Sequence, residues 1–307
     1  MLQHVLDARQ FPRQWLDEVL FPAAAELQRT PGRRFEPTLA GKRLFYLFYE
    51  ASTRTRVSFE MAATLLGASV HGIDSHEEID LDELLEDRIR VINAYQFDFL
   101  LLRYHQEGGA ARAAAVSAVP VINAGDGGGQ HPTQALLDVY TLWREFGRLD
   151  GLRVALVGDL SFQRSTNSLA YLLARYSNLT LYLFSPRLLS MRQEVREYLV
   201  AAGVLVEEVR DLREVADQLD AIYVTRAQTA RLQHAQRFDG DMVDYRVDRE
   251  IMARLSPDAR VLHPLPRGPE LPTELDDDPR LACFRQSANG LYVRMALLSL
   301  LSRALPS

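Results

Sequence analysis

Short apolar runs alternate with amphipathic stretches along most of the chain. The run Arg43 to Phe48, RLFYLF, has the length and composition of a buried strand, and from Arg56 to Leu66 apolar residues recur with helical spacing. Further apolar runs predict strands at Phe97 to Leu102, Pro120 to Asn123, Arg153 to Val157, Leu179 to Phe184, Ala221 to Val224 and Arg260 to Leu262. Because strands that alternate with helices are typical of parallel sheets covered on both faces, the pattern predicts an α/β protein.

The same pattern indicates two domains. The helical stretch Thr133 to Phe146 ends in a polar, glycine-containing segment, GRLDGLR, before a new strand, and a length of 307 residues suits two domains. We therefore predict two doubly wound parallel-sheet domains of similar size, residues 1–146 and 147–287. Periodicity does not decide where the last apolar helix, Gly290 to Leu305, packs, and we place residues 288–307 against the first domain.

Composition narrows the class of protein. The formal net charge is -6 and no run of like positive charges occurs, so we expect no nucleic-acid partner. The single cysteine, Cys283, excludes an intrachain disulfide and fits a reducing compartment. No stretch approaches the roughly 18 to 20 apolar residues that span a bilayer, and the N-terminus lacks an apolar signal core. We expect a cytoplasmic protein with no membrane partner. The histidines lack metal-ligand spacing, and we expect neither a metal nor a cofactor.

The first motif that could carry chemistry is Ser52-Thr53-Arg54-Thr55-Arg56, which follows a predicted strand and opens a predicted helix. Serine favours the N-cap position, and first-turn amides, hydroxyls and a guanidinium together make a cradle for a phosphate dianion. Capping explains only Ser52. The pattern alone leaves open a phosphate site and an ordinary charged helix start.

A second motif runs from Asn123 to Gln134, NAGDGGGQHPTQ, where a glycine-rich turn leaves a strand and enters a helix. Glycines allow the backbone to approach a ligand, and His131 and Gln134 are three residues apart and so share a helical face. The spacing matches neither a Walker loop nor a dinucleotide fingerprint. A turn with a capping histidine remains the alternative.

Two further motifs follow the strands of the second half. In Thr225-Arg226-Ala227-Gln228 the alternate residues Arg226 and Gln228 can face one cleft and bind a carboxylate, because arginine forms a bidentate fork with it. In His263-Pro264-Leu265-Pro266-Arg267 the prolines fix an extended turn whose carbonyls can be offered to an amine.

At these residues the chain resembles the aspartate and ornithine carbamoyltransferase family. The resemblance covers almost the whole chain and lies in FYEASTRTRVSFE (Phe48 to Glu60), GDGGGQHPTQALLD (Gly125 to Asp138), the two later motifs and RQSANGLYVRMALL (Arg285 to Leu298). It is closer to the aspartate branch, since the ornithine enzymes carry a cysteine in His-Cys-Leu-Pro where this chain has Pro264. Arg164, in GDLSFQRSTNSL, stands where the aspartate enzymes have an arginine for the acceptor carboxylate.

The resemblance implies carbamoyl transfer from carbamoyl phosphate to the amine of L-aspartate, which gives N-carbamoyl-L-aspartate for pyrimidine biosynthesis. It implies a carbamoyl-phosphate site made of Ser52, Thr53, Arg54, Thr55, Arg103, His131 and Gln134. Of these residues, Thr55, Arg103 and His131 would polarise the carbonyl of carbamoyl phosphate. It implies an aspartate site made of Arg164, Arg226, Gln228 and the carbonyls of Leu265 and Pro266. It also implies a homotrimer or a higher assembly of trimers, with other pyrimidine-pathway enzymes as possible partners.

One loop departs from the family pattern. The family carries a serine and a lysine there, whereas this chain reads HGIDSHEEIDLDE from His71 to Glu83, with Leu81 about where the lysine belongs. No lysine or arginine occurs from Val57 to Asp87. The loop is either a solvated acidic turn or a sign of altered function. The alternatives are a weak or inactive homologue with a structural or regulatory role, for example beside an active paralogue, and a carbamoyltransferase with a changed substrate.

Overall fold

A computed structural model of the protein describes residues 3–30, 34–74, 83–227 and 245–303. Contacts divide the chain into two compact units. The first unit is Met1–Leu137 with Ala288–Ser307, and the second is Asp138–Ser287. The chain passes from one unit to the other after Leu137 and after Ser287, and both positions lie inside helices. The domain boundary after residue 146 that the sequence suggests stays a prediction.

The strands and helices follow one another in the alternation that the sequence predicts. The strands are β1 Arg43–Phe48, β2 Ser69–Ile73, β3 Phe99–Tyr104, β4 Val121–Asp126, β5 Arg153–Val157, β6 Thr180–Phe184, β7 Leu205–Glu208, β8 Ala221–Val224 and β9 Arg260–Leu262. The helices in the described residues are α1 Arg13–Trp15, α2 Phe21–Arg29, α3 Thr53–Leu65, α4 Leu85–Ala94, α5 Gly109–Val116, α6 Pro132–Phe146, α7 Arg164–Leu173, α8 Gln193–Ala201, α9 Arg249–Arg254 and α10 Cys283–Ser302. A π-helical turn, Leu16–Leu20, joins α1 to α2.

The first unit contains a four-stranded sheet in the order β2-β1-β3-β4, with every pair parallel. Leu47, Leu100 and Leu102 are fully buried in its core. In register, Phe48 at the end of β1 lies beside Arg103 on β3. This pairing brings Arg103 to the carboxyl edge of the sheet, next to the segment that follows β1.

The second unit contains a five-stranded parallel sheet in the order β7-β6-β5-β8-β9. Counted from its own first strand, this is the order 3-2-1-4-5 of doubly wound domains. From β5 the chain adds β6 and β7 on one side of the sheet and then β8 and β9 on the other side. Ligands bind beyond the carboxyl ends of the strands at such a switch point, which here lies between β5 and β8. The predicted fold, α/β with two parallel sheets, is confirmed.

Candidate active site

The phosphate motif of the first unit begins just after β1. Ser52 is the N-cap residue of α3, and its carbonyl accepts a hydrogen bond from the Arg56 amide at 3.0 Å. The Ser52 side chain makes no capping hydrogen bond, although serine usually does so at this position. The first-turn amides have no partner within the helix, and such amides attract anions.

Arg54 supplies a cation at this helix start. Its side chain is exposed, and it makes no ion pair within the described part of the chain. Partial burial of the guanidinium lowers the pKa of Arg54, but an arginine stays charged at neutral pH. Thr53, beside it, is exposed as well. This end of α3 thus presents a positive charge and a hydroxyl to the same solvent-facing region.

Thr55 meets His131, which immediately precedes α6. Both side chains are buried, and Thr55 Oγ1 lies 3.5 Å from His131 Nε2. The other ring nitrogen, Nδ1, lies 3.4 Å from Thr133 Oγ1. In the tautomer where Thr133 donates to Nδ1, Nε2 carries the proton and can donate to an oxygen. Sequence reasoning did not single out Thr133.

Arg103 is held between a carbonyl and a carboxylate. Its Nη1 donates to the Ala124 carbonyl at 3.1 Å, and its Nη2 lies 3.3 Å from Glu50 Oε2. Glu50 was missed by the sequence analysis, although it lies directly before the phosphate motif. Gln134 lies in the first turn of α6, where its backbone amide donates to the His131 carbonyl at 3.0 Å. Thus β1, β3 and β4 bring these predicted residues to one edge of the sheet.

The glycine-rich turn before His131 is packed against the protein itself. Gly127 has a φ of +51°, and a Cβ there would lie 2.8 Å from the Glu107 amide nitrogen. Asp126 fixes the turn by accepting from the amides of Gln130 at 2.8 Å and Gly108 at 3.0 Å. Close approach within the chain therefore accounts for the glycine at 127.

The two ends of the atypical loop, Asp74 and Glu83, lie within the described residues. Asp74 Oδ2 lies 3.6 Å from Arg56 Nε, and Glu83 accepts from Arg88 Nε at 2.6 Å. These two acidic residues are therefore paired with arginines of the same unit. Residues 75–82, including Leu81, lie outside the described residues.

In the second unit, the predicted arginines follow neighbouring strands. Arg164 is the first residue of α7, after β5, and Arg226 is exposed after β8. Gln163 links the two loops, because its Nε2 donates to the Arg226 carbonyl at 2.6 Å. Gly158 allows the loop after β5 to lie close to the loop after β8. It has a φ of +105°, and a Cβ there would lie 2.2 Å from the Thr225 carbonyl oxygen. Gln228 lies outside the described residues.

The turn that contains Leu265 and Pro266 follows β9 and is held by a buried histidine. Leu265 has a φ of +58°, and the peptide bond to Pro266 is cis. The Leu265 amide donates to His263 Nδ1 at 2.7 Å. Since Nδ1 is the acceptor, the ring proton is on Nε2, which donates to Glu270 Oε1 at 3.0 Å. His263 thus connects the predicted carbonyls to an acid that the sequence analysis missed.

Glu270 is an almost completely buried carboxylate. Burial raises its pKa, but hydrogen bonds from His263 and from the Gly268 amide, at 2.6 Å, outweigh this and leave the pKa of Glu270 below its usual value. Among the residues that the structure describes, its Oε2 has no hydrogen-bond partner. A Cβ at Gly268 would lie 2.9 Å from Glu270 Oε2 and 3.5 Å from Arg226 Nε, so the carboxylate and the guanidinium lie close together.

A second buried carboxylate, Asp138, supports the same region. It accepts from the Tyr223 hydroxyl at 2.8 Å and from Gln286 Nε2 at 2.6 Å. Gln286 Oε1 in turn accepts from the His263 amide at 2.9 Å. Burial, together with the nearby charge of Asp138, raises the pKa of Tyr223 well above its ordinary value. Tyr223 therefore stays a neutral donor, two residues before Thr225.

The described residues contain neither a metal-binding cluster nor a membrane-spanning helix. Within residues 3–30, 34–74, 83–227 and 245–303, no group of three His, Cys, Asp or Glu side chains is placed to hold a metal ion. In the same part of the chain, no helix has the length and hydropathy needed to cross a bilayer.

Two family models match the chain and together cover nearly all of it. The model described as "Aspartate/ornithine carbamoyltransferase, carbamoyl-P binding domain" matches residues 3–144. The model described as "Aspartate/ornithine carbamoyltransferase, Asp/Orn binding domain" matches residues 150–301. The phosphate motif lies within the first match and the Arg164, Arg226 and Leu265 segments within the second.

Similar proteins include chains from plants, archaea and a protozoan. A chloroplastic aspartate carbamoyltransferase from Oryza sativa is 46% identical over 98% of this chain and 85% of its own length. The aspartate carbamoyltransferase catalytic subunit of Methanopyrus kandleri is 42% identical, with 97% and 96% covered. Among solved structures, the catalytic subunit of M. jannaschii aspartate transcarbamoylase has a TM-score of 0.89 at 37% identity, with 98% of each chain covered.

Structures from Trypanosoma cruzi add the ligands bound by a relative. Its aspartate transcarbamoylase in complex with N-(phosphonacetyl)-L-aspartic acid has a TM-score of 0.87 at 35% identity, over 97% of this chain and 95% of that one. Another structure of the same enzyme contains carbamoyl phosphate and has a TM-score of 0.87 at 34% identity, with 97% and 95% covered.

Proposed function

The chain belongs to the aspartate/ornithine carbamoyltransferase family, and from this premise we propose that it transfers a carbamoyl group from carbamoyl phosphate to L-aspartate. The products are N-carbamoyl-L-aspartate and phosphate, and the reaction serves pyrimidine biosynthesis. The observation that carries the proposal is the contact of buried Thr55 with His131 beside the open start of α3. The relatives named above support aspartate as the acceptor.

In this proposal the first unit binds the donor. The amides at the start of α3, the hydroxyls of Ser52 and Thr53 and the charge of Arg54 hold the phosphate group. Thr55, Arg103 and His131 donate to the carbonyl oxygen, which gains negative charge when the amine attacks. Gln134 orients the carbamoyl nitrogen. Glu50 holds the Arg103 guanidinium in place through their 3.3 Å contact.

The second unit binds the acceptor. Arg164, Arg226 and Gln228 bind the two carboxylates of aspartate, and the carbonyls of Leu265 and Pro266 accept from its amine. The amine nitrogen forms a bond to the carbonyl carbon, and the bond from that carbon to the bridging oxygen breaks. Phosphate leaves with the bond electrons, and the attacking nitrogen loses a proton. No covalent bond to the protein is needed.

The activity can be tested by colorimetric measurement of N-carbamoyl-L-aspartate with the purified full-length chain. Loss of charge in Arg54→Gln should raise the KM for carbamoyl phosphate roughly tenfold or more, because a hydrogen bond to a charged group contributes about 1.5 to 3 kcal/mol. Arg43→Gln is the matched control, since Arg43 lies at the opposite end of β1. No turnover by the wild-type chain, despite a folded state, would refute the proposal and favour the inactive homologue.

We also propose that the chain forms a homotrimer or a higher assembly of trimers. Val57 and Met61 lie one turn apart on α3 and are 46% and 48% exposed, next to the phosphate motif. An apolar ridge at this place fits a subunit contact. Light scattering should show a trimer, and Met61→Glu should reduce its mass while the control Val200→Glu, on α8, does not. A monomeric wild-type chain at micromolar concentration would contradict the proposal.

The cellular setting also belongs to this proposal. A cytoplasmic location and association with a paralogue or another pyrimidine-pathway enzyme stay predictions. The plant relatives are named as chloroplastic, so their names do not support a cytoplasmic location. Localisation of a tagged chain and affinity purification from its own cells test both expectations.

A further inference from the structure

The second unit contains an open cavity away from the acceptor motifs. It has a volume of about 760 Å³ and lies beyond the carboxyl ends of β6 and β7. Its polar lining consists of Ser185, Arg187, Ser190, Glu208 and Arg210. None of the described residues assigned to the carbamoyl-transfer site lines it. The volume falls in the range of roughly 300 to 1,000 Å³ that is typical of small-molecule sites.

The charge of this cavity is positive. Arg187 and Arg210 are exposed, and neither guanidinium is engaged in an ion pair by the residues that the structure describes. The carboxylate in the lining, Glu208, is paired with Arg196. Two uncompensated guanidinium groups on one cavity favour a dianion, because each can form two parallel hydrogen bonds to phosphate oxygens.

The position of the cavity relative to the sheet narrows the class of ligand that it could bind. In the order 3-2-1-4-5, β6 is the second strand, and in those doubly wound domains that bind dinucleotides the residues after this strand meet a ribose. An arginine near that position accommodates a phosphate on the ribose. Arg187 follows the end of β6 by three residues.

A pyrophosphate does not fit the same unit. After β5 the glycine-rich phosphate turn is replaced by Gly158-Asp159, and Asp159 Oδ1 accepts from the amides of Ser161 at 3.2 Å and Phe162 at 2.8 Å. A carboxylate therefore already occupies amides that a dinucleotide phosphate needs. A ligand with a single phosphate group therefore suits this unit better than a dinucleotide does.

We propose that this cavity binds a small phosphorylated sugar of the ribose-phosphate class. The phosphate lies between Arg187 and Arg210. The sugar hydroxyls hydrogen-bond to Ser185, Ser190 and Glu208. Ser190 Oγ donates to the Arg187 carbonyl at 2.7 Å and so offers its lone pairs to a sugar hydroxyl.

Calorimetric titration of the full-length chain with ribose 5-phosphate tests the proposal. We expect one site per chain in the wild type. The double variant Arg187→Gln with Arg210→Gln should weaken it about a hundredfold or more, since each arginine contributes charge-assisted hydrogen bonds. Arg153→Gln, at the amino edge of the same sheet, is the matched control and should leave the affinity unchanged. The substitutions should leave carbamoyl-transfer activity unchanged.

Arg54→Gln separates this cavity from the phosphate motif of the first unit. Binding that survives Arg54→Gln and is lost in the double variant supports the proposal. Absence of binding to the wild type, or binding lost only in Arg54→Gln, overturns it. Equal affinity for inorganic phosphate overturns the assignment to a sugar phosphate. The single variants Arg187→Gln and Arg210→Gln give the same information if the double variant does not fold.

Discussion

The two ring nitrogens of His263 allow a test that separates amine binding from carboxylate binding. Nδ1 accepts from the Leu265 amide at 2.7 Å and Nε2 donates to Glu270 at 3.0 Å. The asparagine amide group reaches the place of Nδ1, and the longer glutamine side chain reaches the place of Nε2. His263→Asn therefore keeps the bond to Leu265, and His263→Gln keeps the bond to Glu270.

The expected magnitudes follow from the hydrogen bond that each variant loses. A polar group left without its partner costs about 1 to 3 kcal/mol, or roughly five- to a hundredfold in binding. His263→Gln releases the Leu265 turn, so the KM for L-aspartate should rise by such a factor. Butanedioate, which has both carboxylates but no amine, should inhibit as before. His263→Asn removes a hydrogen-bond donor from Glu270, which lies close to Arg226. This variant should therefore weaken the binding of both L-aspartate and butanedioate.

The assay is the colorimetric measurement of N-carbamoyl-L-aspartate over a range of aspartate and butanedioate concentrations. The KM for carbamoyl phosphate serves as the internal control and should not change, because neither variant alters the first unit. Urea denaturation of both variants establishes that each is folded. The reasoning is refuted if each variant changes the KM for L-aspartate and the inhibition constant of butanedioate by the same factor.

Three other predictions follow from single positions. If the missing cation limits the reaction, Leu81→Lys should increase kcat/KM for carbamoyl phosphate, since a cation about 4 Å from phosphate contributes roughly 1 to 4 kcal/mol; an unchanged value would show that the loop is not limiting. The Arg112 hydrogen bonds lower the pKa of Glu86 to about 2, so its contribution is present above the usual pKa and lost as pH falls from 4.5 towards 2. Glu86→Gln should remove that part of the pH dependence of urea denaturation, at most about 1 kcal/mol for a surface pair. Gly158→Ala should cost roughly 2 kcal/mol or more of unfolding free energy, whereas Gly203→Ala, with a φ of +80° but open space, should cost less in the same assay.

Strands that bury most of their residues could be predicted from the sequence, whereas the exposed edge strands β2 and β7 could not. The interior strands β5 and β8 are nearly continuous apolar runs and have the predicted bounds. By contrast, β2 and β7 lie at sheet edges and contain no fully buried residue. Their mixed sequences, SVHGI and LVEE, gave no apolar run to detect.

Residues of the candidate site were predictable where they follow a strand, because parallel strands end at one edge. Thr55 and His131 belong to two motifs that follow predicted strands, and their side chains lie 3.5 Å apart although they are distant in the sequence. Glu50 and Glu270 were missed because their importance depends on which arginine or histidine lies beside them. Such pairings are tertiary contacts, and hydrophobic periodicity contains no information on them.

Four buried polar residues of the second unit form one connected network, and it ends at an unsatisfied oxygen of Glu270 beside the proposed acceptor residues. Asp138, Gln286 and His263 are joined by hydrogen bonds that continue to Glu270 Oε1. Glu270 Oε2 has no donor in the part of the chain that the structure describes, and a buried polar group without a partner costs about 1 to 3 kcal/mol. Any arrangement that supplies a donor is therefore favoured, and Arg226 Nε is close by. Binding of a carboxylate that holds the Arg226 guanidinium beside Glu270 would recover part of this cost, so the network favours the occupied acceptor site.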